Sequence, residues 1–391
     1  MRYHPGGSGY LPKVASISRA VQRERAKTAG FGANPQHWEQ VVVPQSLKVT
    51  HDQKPFLILD KVVDAVQSDK KILGFASPSG IEIMRQSREW YTDGTFKICK
   101  LSLCKQIFVI IARAAVGITV PCAFFMLPDK EIPTYCVLYN ALKDLNLGPD
   151  INYCDYEPAQ HAAVRQVYSE CDIRGCDVHW KRSLRSNLSK HHLLDLYNSD
   201  TSFQLFVRHL WAVSLVPVED IVTVWTDIIC PMVTLAQDKK QWECNPGDIN
   251  SLMLYFENTW IGSIHWRTGE RQQPRLAHQL WNKFQVVLMN DPTTTNSNEG
   301  YNNALALSIP HNASLWTLAQ QFKAEEALVH CKVMDAISRL TQDGRRTSYD
   351  RQARMSQLHK LVCSYSKLTL EDYVKYVVAY YNDFGVPDED N

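Results

Sequence analysis

The chain has 391 residues, 45% hydrophobic and 21% charged, which is enough apolar material for one large or two modest domains and excludes a disordered polymer. Its 42 basic and 41 acidic residues leave a formal charge of +1, so no global field favours a polyanion and any nucleic-acid surface must be local. The 11 cysteines are odd in number and lack the spacing of a disulfide framework, and no window approaches ~18 apolar residues, so the expectation is a soluble, reduced chain of cytosol or nucleus.

Residues 1–86 read as a lead-in region. In "LPKVASISRAVQRERAK", Lys13, Arg19, Arg23, Arg25 and Lys27 fall in a predicted short helix, which is a solvated face first and a DNA-contacting patch second. Two short strands follow, "PFLILD" and "KILGF", and "SPSG" reads as the turn that separates them from the next region.

From residue 87 to 180 the pattern is clearest. "EWYTDGTFKICK", "QIFVIIARAAV" and "ITVPCAFFMLP" are β-rich runs with short links, which predicts an antiparallel meander. "DKEIPTYCVLYNALKDLN" follows with Tyr135, Leu138, Tyr139 and Leu142 on one helical face. Then come a short strand "INYCD", a helix "YEPAQHAAVRQVYSE" and a last strand in "GCDVHW" that feeds another helix. Three antiparallel strands followed by strands reached through crossover helices make an α/β mixed sheet in the order of a ribonuclease-H-like core. Beyond "KRSLRSNLSK" the chain is mainly helical, with Thr and Asn caps in "TTTNSNEGYNNALALS" and a helix that Pro310 must end.

Acidic residues interrupt these patterns at three points. Asp93 lies in the first core strand and Asp155 at the end of "INYCD", and in such a sheet these strands are neighbours, so the two carboxylates converge. Two carboxylates at that range repel unless a cation neutralises them, and a hard divalent ion is the natural partner. Glu299 in "TNSNEGYNNA" is the candidate third acid. Local sequence leaves each open: Asp93-Gly94 is also a hairpin dipeptide, Asp155 also a cap for the helix near Pro158, and Glu299 also an ordinary first-turn glutamate.

The ordered set "DGTFK", "VPCAFFMLPDKEIPTYCVLYNALKDL", "CDYEPAQHAAV", "CDVHWKRSL", "LWAVSLVPVEDIVTVW", "YFENTWIG" and "TNSNEGYNNAL" resembles the transposases of Mutator-like elements (MULE) over roughly residues 85–330. The resemblance implies a DDE triad of Asp93, Asp155 and Glu299 holding two Mg²⁺ or Mn²⁺ ions. It also implies a ribonuclease-H-like core at 87–180 and 291–330, interrupted by an α-helical insertion at 181–290, with 331–391 a C-terminal helical tail. The implied partner is double-stranded DNA, as element terminal inverted repeats and as target, in the nucleus; a homodimer through the insertion is a further expectation. Cys176 and His179 match the family's C-x-x-H motif, but two ligands do not make a zinc site, and His191, His192 or Cys171 would have to complete it. A structural Zn²⁺ is therefore not expected; the pair is structural or orients the active site or DNA. Lys181, Arg182 and Arg185 follow as candidate DNA contacts, with Trp180 beside them as support for a displaced base, although a solvated helix face fits the same residues.

Two departures set an alternative beside the enzyme. The resemblance implies that an Arg-Thr-Asn-Asn run usually precedes the third acid, where this chain reads "TTTNSNE", and no zinc-finger spacing is present. The alternative is a domesticated, catalytically silent DNA-binding or protein-interaction module.

Overall fold

A computed structural model describes residues 35–63, 70–95, 103–290, 301, 304–310, 313–340 and 349–384. The basic segment at 13–27 and Glu299 lie outside the described residues.

One mixed sheet holds seven strands: β1 (Leu57–Val62), β2 (Lys71–Phe75), β3 (Glu89–Thr95), β4 (Gln106–Arg113), β5 (Thr119–Leu127), β6 (Ile151–Cys154) and β7 (Asp172–Gly175). Their order is β1-β2-β5-β4-β3-β6-β7, with antiparallel pairing from β1 across to β3 and parallel pairing from β3 to β7. The predicted meander is β3-β4-β5. The two lead-in strands join the same sheet, because β2 pairs with the outer side of β5.

The helices correct two local readings. "SPSG" does not turn the chain; it starts α1 (Pro78–Gln86), where the Ser77 hydroxyl accepts from Gly80 N and Pro78 fits the first turn. The last strand is "DIRG" rather than "GCDVHW". Cys176 instead occupies the N-cap position of α4 (Asp177–Lys190), so His179 sits in that helix's first turn. Between these lie the crossovers that parallel pairing needs, α2 (Ile132–Asp144) from β5 to β6 and α3 (Pro158–Val167) from β6 to β7.

Each sheet face is covered. Trp90, Phe108, Ile110 and Cys154 pack beneath α2 and α3, where Tyr135, Leu138, Tyr139 and Leu142 are all buried as their spacing predicts. On the opposite face Tyr91, Val109, Phe124 and Tyr153 meet Leu305, Ile309, Trp316 and Phe322, the last two from the helix Leu315–Leu340. A third cluster unites Leu184 and Leu188 of α4 with Phe203, Phe206, Trp225 and Phe256, and takes in Tyr373, Val377 and Tyr381 of the terminal helix Leu370–Phe384. Among the described residues no helix is long and apolar enough to cross a membrane.

Candidate functional site

The site begins with the register of β3 on β6. Glu89, Trp90 and Tyr91 lie opposite Ile151, Asn152 and Tyr153, so Asp93 and Asp155 each follow the last pair by two residues. Neighbouring strands are about 4.8 Å apart and side chains alternate, so Asp93 leaves the sheet on the face of Tyr91, and Asp155 comes just past the end of β6. The Tyr91 and Tyr153 rings stack at 4.8 Å, which fixes the register just before the acids.

Neither local alternative holds for the two acids. Asp93 and Gly94 are inside a paired strand, opposite Val109 and Phe108, and so form no hairpin turn. Space beside Gly94 is filled by Gln106, whose Nε2 would stand 1.5 Å from an added Cβ; Gln106 Oε1 accepts from the Tyr135 hydroxyl. Asp155 does not cap α3, whose N-cap is Glu157 without a side-chain bond. Its Oδ1 accepts instead from Tyr156 N at 2.6 Å.

Residues of α3 brace both acids from below. Gln160 Nε2 donates to Thr92 Oγ1 at 2.7 Å and to the Tyr139 hydroxyl at 3.1 Å, while Thr92 donates to Asn152 Oδ1 across the β3-β6 seam. The His161 Nε2–H donates to the Asp155 carbonyl at 2.7 Å, since a carbonyl can only accept. Sequence reasoning missed this bracing, though the polar "QH" pair in the first turn of an otherwise apolar helix face was its available sign.

Cys176 and His179 close one side. Cys176 N extends the β6-β7 ladder by donating to the Cys154 carbonyl, and the Tyr156 hydroxyl donates to the Cys176 carbonyl. His179 Nδ1 stands 3.9 Å from Asp155 Oδ1. Burial pulls this imidazole down, but a hydrogen bond with Cys176 and the charges of Asp155, Cys176 and Asp93 outweigh it and push it up to about 9. Both acids therefore act on one ring. Lys283 is buried with its ammonium on the Gly175 carbonyl; burial lowers it, opposed by Asp177.

The other sequence candidates fall apart in space. Lys181 turns inward, its Nζ 2.8 Å from Asp177 Oδ2 and 5.2 Å from the Tyr381 ring centre, so it is no DNA contact. Trp180 is buried, stacked on Trp281 at 5.7 Å and edge-on to Trp260, and cannot receive a base. Arg182 and Arg185 are exposed on the outer side of α4. His191 and His192 follow the far end of α4, about 18 Å along the axis from His179 at 1.5 Å per residue. Cys171 precedes β7 whereas Cys176 follows it. None of the three can complete a zinc site with Cys176 and His179, and among the described residues no three His, Cys, Asp or Glu side chains are arranged to hold an ion.

The carboxylates of Asp93 and Asp155 suit a hard cation with oxygen ligands, and the third proposed acid, Glu299, lies outside the described residues. No protein-family model matches the chain, and no curated protein matches it.

Proposed function

We propose that the chain is, or descends from, the catalytic part of a Mutator-like-element transposase that cuts and rejoins DNA phosphodiester bonds. The observation that carries this reading is that Asp93 and Asp155 each follow the last β3-β6 pair by two residues and that one imidazole, His179, feels the charge of both. The strand order β5-β4-β3-β6-β7, antiparallel and then parallel through crossover helices, supports a ribonuclease-H-like core. Tyr301, two residues beyond Glu299 in sequence, packs against the cluster that contains Tyr91 and Tyr153.

In this reading Asp93, Asp155 and Glu299 would hold two Mg²⁺ or Mn²⁺ ions, which supply the charge that stabilises an in-line displacement at phosphorus. The chain's own groups set the geometry. Tyr156 N and His161 hold the Asp155 carboxylate and carbonyl, and Gln160 fixes the residue before Asp93 through Thr92. Arg182 and Arg185, on the exposed side of α4, bind backbone phosphates of nuclear DNA.

A second reading is a catalytically silent derivative that keeps the fold. The His179 ring 3.9 Å from Asp155 favours it, since the chain supplies its own partner to the acids. Incubating the purified chain with Mg²⁺ or Mn²⁺ and labelled DNA bearing the inverted repeats around its gene separates the two. The enzyme predicts metal-dependent cleavage abolished in Asp93→Asn and Glu299→Gln; DNA binding with no cleavage in the unaltered chain rejects it.

A further inference from the structure

The helical part of the chain sends one lysine back to the sheet. Its base is fixed: Lys283 N donates to the Ser214 carbonyl at 2.7 Å, Asn282 Nδ2 donates to the Val216 carbonyl at 2.7 Å, and the Phe284 ring lies edge-on to Tyr365 at 5.3 Å. From there the Lys283 side chain reaches the carbonyl of Gly175, 108 residues earlier and the last residue of β7.

That reach is costly. Lys283 is 2% exposed, and among the described residues its ammonium has one hydrogen bond, to the Gly175 carbonyl, and no carboxylate at ion-pair distance. Asp177, the acid whose charge acts on it, is already bonded to Lys181 at 2.8 Å. An ammonium carries three donors and is strongly hydrated in water, so a single backbone acceptor does not replace what burial removes. A methionine would fill the same space without that cost, so stability alone does not account for the lysine.

What it grips adjoins the acidic site. Gly175 pairs with Cys154 in the parallel β6-β7 ladder, and it faces the Tyr156 ring so closely that an added Cβ would stand 2.3 Å from Tyr156 Cε1. Cys154 and Tyr156 are the two chain neighbours of Asp155. Cys176 ties the same pair, its N–H donating to the Cys154 carbonyl and its carbonyl accepting from the Tyr156 hydroxyl. Whatever fixes Gly175 therefore fixes the backbone on either side of Asp155.

We propose that Lys283 is a positioning residue for the acidic site: by holding Gly175 it sets Cys154 and Tyr156, and with them the Asp155 carboxylate, where a divalent ion is bound. The inference rests on the DNA-processing reading above, in which Asp155 is a metal ligand. It makes docking of the helical part a condition of metal binding. Groups that orient a ligand from behind set metal affinity without touching the ion.

Titration calorimetry of the full chain with Mn²⁺ alone tests it, with Asp155→Asn setting the background. Lys283→Met keeps the bulk of the side chain and removes the donor. It is expected to weaken Mn²⁺ binding about 10- to 100-fold. Its melting temperature equals or exceeds that of the unaltered chain, because a buried charge has been removed. Hydrogen exchange rises in peptides spanning 172–180 and stays level elsewhere, a local signature that a purely stabilising residue would not give. Undiminished Mn²⁺ binding by Lys283→Met overturns the positioning role and leaves the DNA-processing reading intact. A variant that fails to fold, or that exchanges faster throughout, assigns the lysine to stability and likewise overturns it. Absence of Mn²⁺ binding by the unaltered chain overturns both.

Discussion

At the scale of single residues, charge and burial reassign the basic cluster after the C-x-x-H pair. Lys181 and Asp177 lie four residues apart with side chains 7% and 10% exposed, so each is the other's principal counter-charge. Removing one partner of a buried pair leaves an uncompensated charge, and Lys181→Met is expected to lower the unfolding free energy by about 3 kcal/mol in a urea titration. It should leave the salt dependence of DNA binding alone. Arg182→Ala with Arg185→Ala should do the reverse, reducing the slope of log affinity against log salt by about 2 with little loss of stability. A reduced slope in Lys181→Met would mean that the lysine faces DNA after all. The inward turn was half legible in the sequence: Trp180, Leu184 and Leu188 mark the inner face at helical spacing, and Asp177-Lys181 is an i,i+4 pair. What the sequence lacked was Tyr381, which covers Lys181 from a helix two hundred residues on.

Elements show where local propensity prevails and where pairing overrides it. The alternating and continuous apolar runs identified β3, β4, β5 and the buried face of α2, because burial on these elements follows a period that sequence carries. Asp93-Gly94 went the other way. As a dipeptide it favours a turn, yet six residues of β3 pair with β4, and Gln106 from the partner strand fills the space that glycine leaves. Gly94→Ala should therefore displace Gln106 from its bond with the Tyr135 hydroxyl and cost about 1–3 kcal/mol. Combining it with Gln106→Ala should recover part of that loss in a double-mutant cycle; strict additivity would show that the two do not touch. "SPSG" and "GCDVHW" misled for a related reason. A Ser-Pro pair opens a turn or a helix with equal ease, and Cys176 to His179 became a helix start because the strand ended one residue earlier, at Gly175.

At the scale of the whole molecule, one sheet is shared by segments far apart in sequence. The lead-in strands enter beside β5, and Leu305, Ile309, Trp316 and Phe322 cover the face that carries Tyr91 and Tyr153. Such long-range pairing has no local signature, which is why the order of elements was legible while the membership of β1 and β2 in the sheet was not. The acids were found as exceptions to apolar patterns; the bracing by Gln160 and His161 required the fold. Helical body and sheet meet through Tyr156, Trp260, Trp180 and Trp281, so the surroundings of Asp155 depend on rings from both. The central claim is that this architecture brings Asp93 and Asp155 together to hold a divalent ion. Crystals grown with Mn²⁺ and measured for anomalous scattering test it most directly. The account predicts a manganese peak about 2 Å from carboxylate oxygens of both Asp93 and Asp155, absent from Asp93→Asn crystals. A protein that binds no Mn²⁺ there, or whose two carboxylates lie more than about 10 Å apart, contradicts it.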